Sequence, residues 1–258
     1  MPEYSFNAVI FDLDGVITQT AKVHSLAWKR MFDDYLRLRH KKYGEAFVEF
    51  THDKDYLPFV DGKPRYKGVE SFLLSRGINL LFGDPSDLPD KETICGLGNM
   101  KDFTFNTILA SEGVQVYNST VKMIKNLKSI GIKLGVASSS KNCKPVLKAA
   151  GLLELFGTRV DGVISAELNM KGKPEPDIFL AACDNLQVDY SKAIIVEDAV
   201  SGVQAGARGN FGLVLGIARE DNEDVLLENG ADMVIRDFSE ITTHDLEKWF
   251  VEKQNRGS

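Results

Sequence analysis

The stretch Ala8-Val9-Ile10-Phe11-Asp12-Leu13-Asp14-Gly15-Val16 limits what this chain can fold into more than any other. Four apolar residues run into two carboxylates separated by one leucine, and a glycine follows. A short β-branched and aromatic run reads as a strand buried on both faces, and Gly15 lets the chain turn after it. The carboxylates therefore fall at the C-terminal end of a buried strand, where open α/β sheets hold their ligands. Side chains alternate along a strand, so Asp12 and Asp14 share one side and Leu13 takes the other. Two like charges that close are costly unless a cation or a shared proton relieves them.

The rest of the chain repeats the strand theme after a long interruption. Helical spacing starts at Ala21 and runs to about Leu38, behind possible caps at Thr18 and Thr20. Residues 22–103 carry no strong strand signal and read as a helical block. Strand-like runs then follow at 132–137, 160–164, 193–196, 213–217 and 232–235, with helical segments at 119–130, 175–186 and 200–209. Strands alternating with helices predict a parallel sheet covered on both faces. The expected fold class is α/β, a doubly wound and mainly parallel sheet. Its core comprises 1–21 and 104–258, with 22–103 as an inserted helical cap.

Composition excludes several classes of function. A formal net charge of −6 does not suit a protein that grips a nucleic-acid backbone. Three cysteines, at 95, 143 and 183, have neither the number nor the spacing of a disulfide framework or a zinc site. There is no basic, apolar leader and no run long enough to span a membrane. The expectation is a cytoplasmic monomer that binds a small molecule, without nucleic-acid or membrane partners.

In a parallel sheet all strand C-termini share one edge. That edge collects Asp12 and Asp14 from the first strand, and Ser138-Ser139-Ser140 with Lys141 and Asn142 from the second. It also collects Glu197 and Asp198 from the strand at 193–196. Lys173 stands just before Pro174, at a rigid entry to a helix. Acids at two strand ends can hold a hard divalent cation through oxygen, and Mg²⁺ is the usual choice beside phosphates. Hydroxyls, N–H groups and a lysine can hold phosphate oxygens. One carboxylate can attack phosphorus while another exchanges a proton with the entering or leaving oxygen. This combination predicts phosphoryl transfer through an aspartyl phosphate.

In that order, Asp12-Leu13-Asp14-Gly15-Val16, Ser138, Lys173-Pro174 and Glu197-Asp198 resemble the four motifs of the haloacid dehalogenase (HAD) superfamily. The resemblance implies that Asp12 is the nucleophile and Asp14 the general acid and base. It implies Mg²⁺ held by Asp12, the Asp14 main-chain carbonyl, Glu197 and Asp198, with Ser138, Ser139 and Lys173 on the transferring phosphoryl group. Within the superfamily the likeness extends to the β-phosphoglucomutase group. It rests on Thr20, His24 and Trp28-Lys29 after the first motif, on Ser140-Lys141-Asn142, and on Lys173-Pro174 with Pro176-Asp177-Ile178-Phe179. This closer resemblance implies that Thr20, His24 and Lys101 form a hinge coupling the cap to Asp14. It places Ser140, Lys141 and Asn142 near the non-transferring phosphate. Arg65 or Lys67 would be the cap's phosphate-clamping cation. The activity implied is isomerisation of a phosphorylated sugar, β-glucose 1-phosphate to glucose 6-phosphate; the alternative is a sugar-phosphate phosphatase of the same superfamily.

Overall fold

The computed structural model describes residues 4–219 and 221–256. Strand β1 (Ala8–Phe11) is buried at every position, as an unbroken apolar run in a two-sided sheet should be. The chain then leaves the sheet for α1 (Thr20–Tyr43), the single turn α2 (Leu57–Phe59), α3 (Arg65–Ser75) and α4 (Ile94–Glu112). It returns through α5 (Asn118–Ser129), β2 (Lys133–Ala137), α6 (Cys143–Ala149), β3 (Thr158–Val160) and α7 (Gly162–Glu167). Next come α8 (Asp177–Leu186), β4 (Ala193–Glu197), α9 (Val200–Arg208) and β5 (Leu213–Ile217). The chain closes with α10 (Glu223–Glu228), β6 (Met233–Ile235) and α11 (Thr243–Arg256). No helix among the described residues is long and apolar enough to cross a membrane.

Contacts divide the chain into two units, Met1–Gln19 with Val114–Ser258, and Thr20–Gly113. The boundary expected after residue 103 falls inside α4, because the buried Phe105 and Ile108 carry that helix on. Gly113, at φ 76°, ends it.

The first unit is built on six parallel strands in the order β3-β2-β1-β4-β5-β6. β1 sits between β2 and β4, with Phe11 opposite both Val136 and Val196. Residue 12 therefore emerges level with the ends of both neighbours. Alternate residues of β1 feed different layers. Ala8 and Ile10 pack with Ile178, Phe179, Ala182 and Cys183 of α8, while Phe11 meets Phe238 at a ring separation of 6.2 Å. Full burial of a side chain the size of Ile10 or Phe11 contributes about 1.5–3 kcal/mol relative to exposure.

The third strand departs from expectation. It is Thr158–Val160, and the run expected to continue it to 164 is the start of α7. The Asp161 carboxylate accepts hydrogen bonds from the N–H groups of Val163 at 3.0 Å and Ile164 at 3.2 Å. This cap satisfies two N–H groups at the helix start, and it outweighs the β-branched character of Val163-Ile164.

The second unit is helical, with no strand among its described residues. Its centre is aromatic. Phe32 stacks on Trp28 at 5.3 Å and on Phe50 at 5.0 Å, and Phe72 closes against Phe32 at 4.1 Å. Trp28 belongs to this buried cluster.

Candidate active site

Asp12 is fixed first by its backbone. Its N–H donates to Val196 O at 2.9 Å, extending the β1–β4 ladder by one bond. The side chain then has little freedom, and its Oδ1 accepts from Lys173 Nζ at 2.5 Å. Lys173 is buried, joins Pro174 through a cis peptide, and lies 5.0 Å from the Phe179 ring centroid. The same ammonium donates to Glu197 Oε1. The other oxygen of Glu197, Oε2, accepts from the N–H groups of Asp198 at 2.9 Å and Ala199 at 3.0 Å. A side chain at Gly202 in α9 would collide with the Glu197 carboxylate, so this glycine is what lets the helix approach the acid.

Asp12, Glu197 and Asp198 each offer a carboxylate oxygen within 4.8 Å of the others. Such a set of hard oxygens suits a divalent cation that binds oxygen. Glu197 Oε1 accepts one bond and keeps a lone pair for such a cation, whereas Oε2 already accepts two.

Burial pushes the Asp12 carboxyl well above the ordinary carboxylate range; Lys173 pulls it back, and the charges of Glu197 and Asp14 push it up again. Burial would lower Lys173, but the carboxylates of Asp12 and Glu197 more than reverse this, and its pKa is raised. A cation held by the three acids acts on Asp12 in the same sense as Lys173, favouring the ionised, nucleophilic form.

Asp14 sits in a loop that is bonded to itself. Thr18 N donates to Leu13 O at 2.9 Å and Gly15 N donates to Thr18 O at 2.8 Å. Gly15 has φ 85°, and a Cβ there would strike the Asp198 carboxylate. Only glycine satisfies both demands.

The serine segment follows β2. Ser138 N donates to Val160 O at 3.0 Å. The Ser138 hydroxyl accepts from Ser140 N at 3.1 Å, and the Ser140 hydroxyl accepts from Asn142 N at 3.1 Å. Each hydroxyl is thereby oriented as an acceptor and keeps its own O–H to donate to an anion. Nearby Cys143 is buried, and burial, with the charges of Asp14 and Asp12, pushes its thiol well up. A thiol so placed is inert.

The remaining expected residues belong to the helical unit. Thr20 is buried at the start of α1. His24 Nδ1 accepts from Lys101 Nζ, which makes the Nε2–H form the consistent tautomer. The His24 ring stacks on Phe105 at 4.1 Å. Lys101 is buried, with Trp28 and Phe105 about its ammonium at 5.1 and 4.9 Å. Arg65 is the first residue of α3 and donates to Asp102 Oδ1 at 2.6 Å. Lys67 is exposed and pairs with Glu70 at 2.8 Å.

On the other flank of Pro64 from Arg65, Lys63 donates to Pro58 O at 3.2 Å and Ser71 Oγ at 3.0 Å, and burial lowers its pKa. Sequence reasoning missed one residue. Arg219 donates through Nε to Gly15 O at 2.8 Å. Arg219 lies just past the end of β5, so extending the survey of strand ends to the fifth strand finds it.

A family model for haloacid dehalogenase-like hydrolases matches residues 6–210. The chain belongs to this family. Among its relatives, the beta-phosphoglucomutase of Mycobacterium bovis is 43% identical over 244 residues, covering 93% of each chain. The beta-phosphoglucomutase of Bacillus subtilis is 31% identical over 244 residues, covering 94% of this chain and 95% of its own length. In fold, the crystal structure of beta-phosphoglucomutase from Clostridium difficile superposes with a TM-score of 0.74 at 24% identity, over 96% of this chain and 98% of that one. The four motifs of this haloacid dehalogenase-like chain, three at strand ends and one in the loop before α8, thus lie on the fold their resemblance implies.

Proposed function

We propose that the chain is a Mg²⁺-dependent β-phosphoglucomutase that interconverts β-glucose 1-phosphate and glucose 6-phosphate through a phosphoryl group carried on Asp12. The observation that carries this reading is the Asp12 carboxylate 2.5 Å from the buried Lys173 ammonium, in a chain 43% identical to a beta-phosphoglucomutase over 93% of both lengths.

The Asp12 carboxylate attacks phosphorus, and the P–O bond to the sugar breaks. Asp14 gives its proton to the departing sugar oxygen, then takes one from the hydroxyl that attacks the phospho-enzyme. Lys173 and the hydroxyls of Ser138 and Ser139 face the phosphoryl oxygens and balance the charge that builds on them. Asp12, Glu197, Asp198 and the Asp14 carbonyl would hold Mg²⁺, which would supply the further positive charge that a phosphoryl group among acids requires. Ser140, Lys141 and Asn142 on one unit, and Arg65 or Lys67 on the other, are assigned to the sugar's second phosphate. Thr20, His24 and Lys101 are assigned to coupling the helical unit to Asp14.

The mutase and the phosphatase differ in what attacks the phospho-enzyme. A bound hydroxyl outruns bulk water because well-oriented groups reach effective molarities of roughly 10⁵–10⁸ M. The test is phosphorus NMR of β-glucose 1-phosphate with enzyme, Mg²⁺ and a trace of the 1,6-bisphosphate. Glucose 6-phosphate should grow in, with inorganic phosphate lagging far behind. Release of phosphate faster than isomerisation replaces the mutase reading with the phosphatase one.

A further inference from the structure

We infer that Arg219 is a positioning residue for Asp14, holding the loop that carries the acid and base while leaving the nucleophile to the sheet. The inference rests on the role proposed above for Asp14.

Arg219 Nε donates to the carbonyl of Gly15, the residue that follows Asp14, at 2.8 Å. The arginine is itself held from three directions. Nη1 donates to Arg236 O at 2.9 Å and approaches Asp237 Oδ2 at 3.4 Å. The guanidinium lies on the Tyr117 ring, 3.5 Å from its centroid. Asp237 is fixed in turn by Ser119 Oγ at 2.7 Å and Ser239 N at 2.9 Å. Planar stacking combined with a forked donor set is a use to which arginine is suited and lysine is not. The remaining nitrogen, Nη2, is buried and has no hydrogen-bond partner among the described residues. A guanidinium serving only as surface charge would keep that donor in water.

Through Arg219, the ends of β5 and β6 thus grip the loop after β1. Asp12 does not depend on this grip. Its N–H is bonded to Val196 O at 2.9 Å and its carboxylate meets Lys173. Loss of Arg219 therefore frees the Gly15 carbonyl and loosens the Asp14 side chain, while the nucleophile keeps its place and the Asp14 carbonyl stays in a peptide whose N–H, that of Gly15, bonds Thr18 O at 2.8 Å. Displacing a reacting group by about 1 Å can cost on the order of 10² in rate.

Two leaving groups separate this role from a general structural one. A sugar alkoxide needs a proton as it departs; p-nitrophenolate, a stable anion near neutral pH, does not. Arg219→Ala should slow turnover of β-glucose 1-phosphate by roughly a hundredfold, while the pre-steady-state burst of p-nitrophenolate from the aryl phosphate stays within about threefold of wild type. Arg219→Lys, which keeps a donor for Gly15 O, should recover part of the sugar-phosphate rate, and guanidinium ion added to the Ala variant should do the same. If the Ala variant does not fold, Arg219→Gln carries the same comparison. Equal slowing of both reactions, or of neither, overturns the proposal. If the wild type hydrolyses the glucose phosphate instead of isomerising it, the mutase reading fails, and the ratio of the two rates still decides the role of Arg219.

Discussion

The two units handle charge in opposite ways. At the sheet edge of the first, Asp12 and Glu197 share the ammonium of Lys173, with Asp198 close by and Asp14 adding to the field on Asp12. In the helical unit most cations have an acid of their own. Arg65 meets Asp102 at 2.6 Å, Arg76 meets Asp55 at 2.8 Å, Lys91 meets Asp87 at 2.5 Å, and Arg39 meets Glu45. Paired charges hold a fold in one geometry. An excess of one sign, buried and unbalanced, works against folding and is kept for chemistry. By this criterion the sheet edge is where the proposed chemistry belongs.

The sharpest break in that comparison comes from removing the ammonium that Asp12 and Glu197 share. Lys173→Ala should lower kcat by on the order of 10²–10³. It should also destabilise the fold by about 3–5 kcal/mol, since it leaves buried carboxylates uncompensated. Steady-state kinetics and denaturant titration measure the two effects. A variant with normal kcat would mean that the ammonium only balances charge.

In the helical unit, the corresponding change is smaller. Arg65→Ala should cost about tenfold in kcat/KM for β-glucose 1-phosphate, the loss of one partly committed phosphate contact. Hydrolysis of a small aryl phosphate, which has no second phosphate, should change little. Equal losses on both substrates would move Arg65 out of substrate binding and leave it as the partner of Asp102.

The smallest effect is one of stability against pH. The Asp12 carboxyl is raised in the folded protein, so its contribution is present at low pH and is lost as pH rises through the folded value. Lys173 is also raised, but it contributes a constant amount until well above the neutral range. In chelated protein the Tm should therefore fall as the pH rises above the ordinary carboxylate value of 3.8. Asp12→Asn should flatten that slope. Mg²⁺ should oppose the fall, because it binds the ionised carboxylates of the folded state. A slope unchanged in Asp12→Asn would show that other groups set it.

Much of the edge was legible because its determinants are local. A buried apolar run ending in Asp-Leu-Asp-Gly specifies both a strand and what lies at its tip, and Ile-Ile-Val-Glu-Asp does the same for β4. The strand misplaced at 160–164 shows the limit of that logic. Val163 and Ile164 favour a strand by themselves, and one carboxylate at position 161 turns them into a helix. The extent of α4 was hidden by Gly96 and Gly98, which weaken a helix by propensity, yet Thr93 caps it and Gly98 lies against the Tyr66 ring. The contacts of Lys101 with His24 and of Arg65 with Asp102 join residues far apart in the chain. No local pattern announces such pairs, and resemblance alone pointed to His24 and Lys101. Arg219 could be found as a residue at a strand end, but its task could not, because its partner is a backbone carbonyl, which carries no signature in the sequence.

The central claim is that Asp12 carries the phosphoryl group. Mixing the enzyme with Mg²⁺ and glucose 1,6-bisphosphate, quenching in acid and mapping peptides by mass spectrometry tests it directly. The account predicts one added phosphoryl group on the peptide containing Asp12, lost on incubation with glucose 6-phosphate and absent from Asp12→Asn, which should remain folded and show no detectable turnover. Wild-type turnover by Asp12→Asn, or a phosphoryl group found on another residue, would contradict it.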